Sequence, residues 1–362
     1  MKLRNIERAI FNSGLVYIGL MSEFSTRILD WYDAHARQLP WRVSPQARRR
    51  GVMPDPYRVW LSEVMLQQTT IPHGIRYFLR FTELWPTVED LARADREDVM
   101  REWAGLGYYA RARNLYACAQ LVSSQGGFPR VASELKKLPG IGPYTAGAIA
   151  SIAFDERVAA VDGNVERVMT RFLAIDTPLP KAKQVVAEAL EPRLPDHRFG
   201  DFTQALMDLG ATICTPRGPA CLTCPLSEDC AAHATGREEA FPVKAPKKPK
   251  PVRHGIVKLI HNGEYMAIER RPDKGLLAGM NGLPTSDWNV IGEGEPIPEP
   301  DSSDQGKYLG RVEHVFTHFK LFLDVYEEQR TAPLDGLTTP LSSLGEAGLP
   351  SVFAKAANLL VT

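Results

Sequence analysis

A proline- and lysine-rich stretch, residues 241–253, divides the chain into two parts with different hydrophobic periodicities. Before it, apolar residues recur at the spacing of amphipathic helices, and after it they alternate as they do in strands. The stretch has no acidic residue and is expected to be extended and semi-rigid. We therefore predict a mainly α N-terminal domain over residues 23–241, a linker over 242–253, and an α+β domain over 254–362.

The N-terminus and the composition indicate the setting of the protein. In residues 1–22 a short apolar run follows three basic residues, and no small-residue cleavage site follows the run, so we expect a disordered extension. No later segment approaches the roughly 20 apolar residues of a membrane span. The 43 basic residues balance 43 acidic ones, so a polyanionic partner would contact a local patch. The chain has five cysteines, and four of them cluster, which does not suggest a disulfide scaffold and favours a reducing compartment.

One turn followed by a helix has the pattern of an anion-binding site. Gly140 and Gly142 allow positive φ and a close approach of the backbone to a ligand. Pro143 suits the first helical position, and the free N–H groups of a helix N-terminus bind phosphate. A surface hairpin without a ligand fits the glycine pattern equally well. Asp162 follows beside Gly163, where its carboxylate can project into a cleft.

A second helix carries a single acidic residue, Glu63. Asp55 and Pro56 begin this helix, which we predict over residues 57–69. The helical neighbours of Glu63 make its face largely apolar: Val59, Trp60, Leu66 and Gln67. Burial raises the pKa of a carboxyl group, which would suit Glu63 to donate a proton near neutral pH. An acid that reaches solvent or pairs with an arginine fits the same pattern.

Four cysteines with the spacing C-x6-C-x2-C-x5-C form a compact set of thiolates: Cys214, Cys221, Cys224 and Cys230. Such a set implies a zinc ion or an iron–sulfur cluster, and the spacing alone favours neither. The fifth cysteine, Cys118, is distant in the sequence and is expected to be a buried apolar residue.

A glycine-flexed loop has the composition of a DNA wedge. Leu106 and Tyr108 could insert into a base stack while Arg111 and Arg113 hold phosphate. Packing in the core would explain the aromatic side chain equally well. Arginines 48–50, in the loop over residues 43–53, could contact DNA phosphate or be solvated.

These features together resemble the endonuclease III superfamily of helix-hairpin-helix DNA glycosylases and, within it, the MutY family. The similarity rests on the glycine–proline hairpin with Asp162, the run Ser-Glu-Val-Met-Leu-Gln-Gln-Thr that contains Glu63, and the cysteine loop 214–230. It extends from about Glu23 to the C-terminus. The resemblance implies a [4Fe–4S] cluster in the cysteine loop and a Nudix-like C-terminal domain, although the glutamate-rich Nudix box is absent.

The resemblance also implies a reaction and a set of site residues. The reaction is hydrolysis of the N-glycosidic bond of adenine mispaired with 8-oxoguanine or guanine in duplex DNA, by a monomeric, monofunctional enzyme. The implied catalytic residues are Glu63, Asp162, Asn164 and Tyr144. Those implied at the adenine are Arg37, Trp41, Arg42, Leu66 and Gln204. Those implied at the lesion or the DNA are Gln68, Thr69, Leu106, Tyr108, Gly140, Gly142, Phe316, Thr317 and His318, with Thr317 in place of the family's serine.

Two other functions remain open. A bifunctional glycosylase/lyase needs a lysine nucleophile in the hairpin, where this chain has Tyr144. A DNA-binding module with a redox-sensing cluster would need neither Glu63 nor Asp162. We expect a cytoplasmic, nucleoid-associated bacterial enzyme that binds double-stranded DNA and no membrane.

Overall fold

The computed structural model describes residues 14–246, 249–272, 275–301 and 306–360, without the side chains of residues 14–22. The chain forms two compact units, Met1–Ala245 and Pro246–Thr362, and each is described by itself. The division lies within the expected linker, although the first strand already begins at Val252 because this residue pairs with Lys320. In the part of the chain that is described, no helix has the length and apolar character to cross a membrane.

The described part of the first unit is almost entirely helical. Its α-helices are α1 (Gly14–His35), α2 (Pro45–Arg49), α3 (Pro56–Met65), α4 (Ile71–Leu84), α5 (Val88–Arg93), α6 (Arg96–Glu102), α7 (Ala110–Ser124), α8 (Ala132–Leu135), α9 (Pro143–Phe154), α10 (Gly163–Phe172), α11 (Ala182–Leu190), α12 (Phe199–Thr212) and α13 (Ala231–Ala234).

Helix α1 begins earlier than the sequence predicts. Residues 14–22, which we expected to be part of a disordered extension, form its first turns. The apolar run there contains no proline, so nothing interrupts the helical hydrogen bonds. Residues 1–13 of the expected extension lie outside the described residues.

Helix α3 ends at Met65, earlier than the predicted end at residue 69. Gln68 has a left-handed backbone with φ of 57°, which a continuing helix does not allow. The Arg111 guanidinium binds carbonyls at this helix end and so replaces bonds that a longer helix would make internally. Residues 66–69 therefore form a turn, and this turn lines the same cavity as Glu63.

Close packing around α9 brings the site elements together. An added Cβ on Gly200 of α12 would lie 2.6 Å from the Ser151 carbonyl oxygen, so only glycine fits this crossing. In the turn before α9, Gly140 has φ of +75°, as predicted. Gly142 differs from the prediction, because its φ of −86° is open to any residue and it caps the N-terminus of α9. Pro143 occupies the first turn of α9, as expected.

The strands of the second unit are β1 (Val252–His261), β2 (Tyr265–Ala267), β3 (Glu269–Arg270), β4 (Asn281–Gly282), β5 (Asn289–Ile291), β6 (Lys307–Val315), β7 (Lys320–Gln329) and β8 (Thr338–Pro340). In the described residues they form a six-stranded mixed sheet and a separate pair, β3 with β4, and one α-helix, α14 (Ser351–Asn358), packs in the same core. Strands β1 and β7 are parallel, and the other pairs in the order β6-β7-β1-β2-β8 are antiparallel, with β5 added on β1. A hairpin joins β1 and β2, and in its turn the Asn262 side chain accepts hydrogen bonds from the amides of Glu264 and Tyr265.

Candidate active site and cysteine site

A cavity of about 400 Å³ in the first unit gathers residues that are far apart in the sequence. It lies among α3, the turn after α3, and the N-terminal ends of α9 and α10, and residues of α12 also line it. All four predicted catalytic residues and all five predicted adenine contacts line it, together with two predicted lesion contacts. These eleven are Arg37, Trp41, Arg42, Glu63, Leu66, Gln68, Thr69, Tyr144, Asp162, Asn164 and Gln204.

Glu63 has the environment of a proton donor. Burial in the cavity wall raises the pKa of its carboxyl group to about 7. The Tyr144 hydroxyl donates a hydrogen bond of 2.8 Å to Glu63 Oε2 and opposes that rise, while the charge of Asp162 adds to it. Near neutral pH the carboxyl group therefore exists in both protonated and ionised forms.

Asp162 has the opposite environment, in which its negative charge is stabilised. It is the N-cap of α10, and its Oδ1 accepts a 2.7 Å bond from the Val165 amide. Its Oδ2 accepts a 2.8 Å bond from the side-chain amide of Asn164. A helix N-terminus and hydrogen-bond donors both favour a carboxylate. Asn164 is held in turn by Arg167, whose Nη2 lies 2.9 Å from Asn164 Oδ1.

A buried carboxylate that sequence reasoning missed, Asp208, holds two of the predicted adenine contacts. Arg37 Nε donates to its Oδ1 at 2.6 Å, and Arg42 Nη1 donates to its Oδ2 at 2.7 Å. Burial alone would lower the pKa of Arg42, but Asp208 raises it above its ordinary value. Both arginines thus line the cavity as members of an ion cluster. The helical neighbours of Asp208 are Gln204, Ala205, Ala211 and Thr212, so it lacks the largely apolar surroundings that marked Glu63 in the sequence.

Two glutamines line the deeper part of the cavity. Gln204 is buried in α12, where its Nε2 lies 3.3 Å from the Gly200 carbonyl oxygen. Gln67, which the sequence did not single out, also lines the cavity, with its Nε2 3.5 Å from Thr145 Oγ1. Its place in the turn after α3 depends on the early end of that helix, which no sequence pattern indicated.

Two residues that were predicted to contact DNA, one in the wedge loop (residues 105–108) and one just after it, differ from their predictions. Tyr108 is 56% exposed, but Leu106 is only 6% exposed and packs in the core, so Leu106 is not presented for insertion into DNA. Arg111 is not available to bind DNA phosphate either, because its guanidinium donates hydrogen bonds to carbonyl oxygens within the protein. Likewise, Arg48 and Arg49 of the loop 43–53 form ion pairs inside the unit.

In the second unit, the predicted recognition residues form the turn between β6 and β7. The Phe316 amide donates a 2.9 Å bond to the Phe319 carbonyl, which closes the turn. The Phe316 ring is half-buried and stacks on Trp288 with a centroid distance of 5.9 Å. Thr317 and His318 are exposed at the tip.

The four predicted cysteines lie around one small pocket at the end of the first unit, and Cys118 is buried elsewhere, as expected. The pocket wall is mostly apolar, and the Arg171 guanidinium lies 3.3 Å from Cys214 Sγ. Four thiolates beside one cation fit a metal group of net negative charge. A different set of possible ligands, Cys221, His233 and Glu238, also lies close together, with donor atoms within 4.8 Å of one another.

Comparisons with known proteins agree with these two units. Residues 61–195 match the model of the HhH-GPD superfamily base excision DNA repair proteins, and residues 256–359 match the NUDIX domain. The adenine DNA glycosylase of Rattus norvegicus is 35% identical, over 90% of this chain and 73% of its own length. That of Buchnera aphidicola subsp. Schizaphis graminum is 32% identical, over 92% and 97%.

The chain belongs to the adenine DNA glycosylase family. It is a DNA glycosylase with a helix-hairpin-helix unit and a Nudix-like unit, as predicted. The Arabidopsis thaliana member is 40% identical, and the chain spans 58% of its length. Among solved structures, a thermostable thymine-DNA glycosylase covers 59% of this chain at 29% identity with a TM-score of 0.52. The match covers 95% of that structure.

Proposed function

We propose that this glycosylase removes adenine paired with 8-oxoguanine, or with guanine, from duplex DNA and leaves an abasic site. One observation carries the proposal: Glu63, with a pKa raised to about 7, shares a cavity with a charge-stabilised Asp162. Two carboxyl groups with opposite environments are the requirement for acid-assisted cleavage of a glycosidic bond.

In the proposed reaction, the target adenosine is flipped out of the stack into the cavity, at a cost of about a few kcal/mol. Glu63 in its protonated form donates its proton to N7 of the adenine, so the base leaves as a neutral molecule. The C1′–N9 bond breaks and positive charge develops on the sugar. Tyr144 keeps the Glu63 carboxyl oriented through its 2.8 Å hydrogen bond.

Asp162 then acts on the sugar. Its carboxylate, fixed by Asn164 and the α10 N-terminus, stabilises the cationic sugar or adds to it, and water completes the hydrolysis. The adenine itself is held by Trp41, Leu66 and Gln204, with the arginines of the Asp208 cluster at the edge of the cavity. No lysine replaces Tyr144, so the chain has no Schiff-base nucleophile at that position and the reaction is monofunctional.

We further propose that Cys214, Cys221, Cys224 and Cys230 hold a [4Fe–4S] cluster that stabilises the loop 214–230. Arg171 supports this proposal, because it bonds to Cys214 Sγ and to the carbonyls of Thr215 and Pro216. In the second unit, the exposed tip Thr317–His318 would contact 8-oxoguanine. We infer a monomer that works in the cytoplasm on nucleoid DNA.

A single-turnover assay tests the function. The full chain is incubated with end-labelled duplexes that carry adenine opposite 8-oxoguanine, guanine or thymine, and samples are analysed with and without hot alkali. We expect strand breaks only after alkali, fastest opposite 8-oxoguanine and absent opposite thymine. Breaks without alkali would indicate a lyase. A folded, metal-loaded protein that gives no product on any duplex would contradict the proposal.

The metal content tests the cluster separately. We expect about four iron atoms per chain and no zinc in protein purified without oxygen. Cys224→Ser should lose the iron, while Cys118→Ser, a matched change of a buried cysteine elsewhere, should retain it. Stoichiometric zinc in place of iron would overturn this assignment.

A further inference from the structure

The side chain of Arg111 joins the end of the catalytic helix to the wedge loop. It lies in the first turn of α7, and its Nη1 donates to the carbonyl oxygens of Val64, Met65 and Gln67, at 3.1, 3.1 and 2.6 Å. Its Nη2 donates to the carbonyl oxygens of Leu106 and Gly107, at 3.0 and 3.3 Å. One planar group thus ties together two backbone segments that do not follow one another in the sequence.

The two segments are the ones that carry proposed contacts to the DNA and the reacting base. Glu63 directly precedes Val64, and the turn that follows α3 presents Gln67 and Gln68 to the cavity. Leu106 and Gly107 directly precede Tyr108, the exposed aromatic residue of the wedge loop. The guanidinium carbon also lies 5.5 Å from the centre of the Tyr108 ring and 5.3 Å from that of Trp103.

Both segments have backbone geometry that needs external support. Gln68 and Tyr108 each have positive φ, at 57° and 50°, a conformation that costs a residue with a side chain about 1 kcal/mol or more. Two of the five carbonyls bound by Arg111, those of Gln67 and Gly107, belong to the residues immediately before these two. A displacement of Tyr108 therefore changes the hydrogen bonds at the other end of the same guanidinium.

We propose that Arg111 is a positioning residue that couples insertion of Tyr108 into DNA to the alignment of Glu63 and the Gln67–Gln68 turn. When Tyr108 enters the base stack, the wedge loop moves, and the rigid fork of Arg111 transmits the movement to the carbonyl end of α3. Excision is thereby fast only when the wedge is in place. The inference rests on the proposed function, because it assigns Tyr108 to the DNA and Glu63 to the chemistry.

A double-mutant cycle on the full chain tests the coupling. Single-turnover excision rates at saturating enzyme are measured for the unmodified protein, Tyr108→Ala, Arg111→Lys and the double variant. Lysine keeps the charge but loses the fork that binds two segments at once. We expect each single change to lower the rate about tenfold or more, and the double variant to be no slower than the slower single variant. Effects that multiply would overturn the proposal.

A matched control separates coupling from the loss of a half-buried arginine. Arg193 is half-buried like Arg111, and its Nη1 donates to the Ala189 carbonyl oxygen near the end of α11, at 2.6 Å. Arg193→Lys combined with Tyr108→Ala should give independent effects. If Arg111→Lys lowers only the affinity for DNA or the melting temperature and leaves the rate at saturation unchanged, Arg111 is structural and the proposal fails.

Hydrogen exchange tests the same proposal without a variant of Arg111, which matters if Arg111→Lys does not fold. The protein is bound to a duplex with an uncleavable 2′-fluoro-adenosine opposite 8-oxoguanine. We expect binding to protect the amides of residues 64–69 in the unmodified protein and to protect them less in Tyr108→Ala. Equal protection in both would refute the coupling. An unmodified protein that binds but never excises adenine would instead refute the proposed function.

Discussion

The catalytic cavity and the Phe316–His318 turn are two candidate contact regions that differ in how their side chains are held. In the cavity, each important side chain has a fixed partner within the protein: Tyr144 for Glu63, Asn164 for Asp162, and Asp208 for both arginines. At the turn, Phe316 is packed on Trp288, but Thr317 and His318 extend into solvent.

This difference has a physical reason. Proton donation near neutral pH requires a carboxyl group whose ionised form is destabilised, and burial beside another carboxylate does this for Glu63. Recognition of a base on the opposite strand requires donors that can reach outward, and their strength is limited by competition with water. Changes in the cavity should therefore have large effects on rate, and changes at the turn should have small effects on preference between substrates.

The largest effect is expected for Glu63→Gln. The amide keeps the shape of the side chain but has no acidic proton to transfer, so the single-turnover rate should fall by about 10²–10⁴-fold, the range attributed to general acid catalysis. Binding to a duplex with adenine opposite 8-oxoguanine should change little, as measured by fluorescence anisotropy. Glu97→Gln, at an exposed position in α6, is the control and should retain activity. Normal excision by the Glu63→Gln protein would show that Glu63 is not the general acid.

Sequence reasoning grouped the residues of the cavity and those of the cysteine pocket because each element has a strong local signal, while their roles stay predictions. Glu63 is the single acid in an apolar helix, Asp162 precedes a glycine at a helix start, and the four cysteines are close in sequence. It missed Asp208 and the clamp made by Arg111, because both depend on which distant carbonyls or guanidinium groups the fold brings near. For the same reason it assigned Leu106 and Arg111 to DNA, although local composition cannot show whether a side chain faces the core.

Asp208→Asn tests whether the ion cluster that Asp208 forms with Arg37 and Arg42 stabilises the cavity. The change leaves two partly buried guanidinium groups without their carboxylate, and breaking such a buried pair costs about 3–5 kcal/mol. We expect a clearly lower melting temperature for the first unit and slower excision. Asp98→Asn, which removes an exposed partner of Arg101, should cost less than about 1 kcal/mol. Equal stability of the two variants would show that the ion cluster does not hold the cavity.

Tyr144→Phe should move the pH dependence of excision. Glu63 must be protonated to act, so the single-turnover rate should decrease as pH rises through the pKa of about 7. The Tyr144 hydroxyl bonds to the ionised form and lowers that pKa, so its removal should raise the pKa and shift the decrease to higher pH. The shift should be roughly one pH unit, as for loss of a hydrogen bond to a charged group.

The control for this pH profile is Tyr116→Phe. The Tyr116 hydroxyl bonds to the Ala94 carbonyl at 2.9 Å, and Tyr116 does not line the cavity. This variant should keep the original profile. A downward shift in Tyr144→Phe, or the same shift in both variants, would contradict the assignment of the titrating group to Glu63.

The smallest effect is expected for Thr317→Ala in the recognition turn. If the hydroxyl contacts 8-oxoguanine, its loss removes one solvent-competed hydrogen bond of about 1 kcal/mol, so the preference for 8-oxoguanine over guanine opposite adenine should fall about fivefold. The maximal rate should not change, because Thr317 belongs to the second unit and Glu63 to the first. Thr331→Ala, another exposed threonine of the second unit, should leave the preference intact. A reduced maximal rate with unchanged preference would mean that the turn affects the chemistry, and the division of roles between the two regions would be wrong.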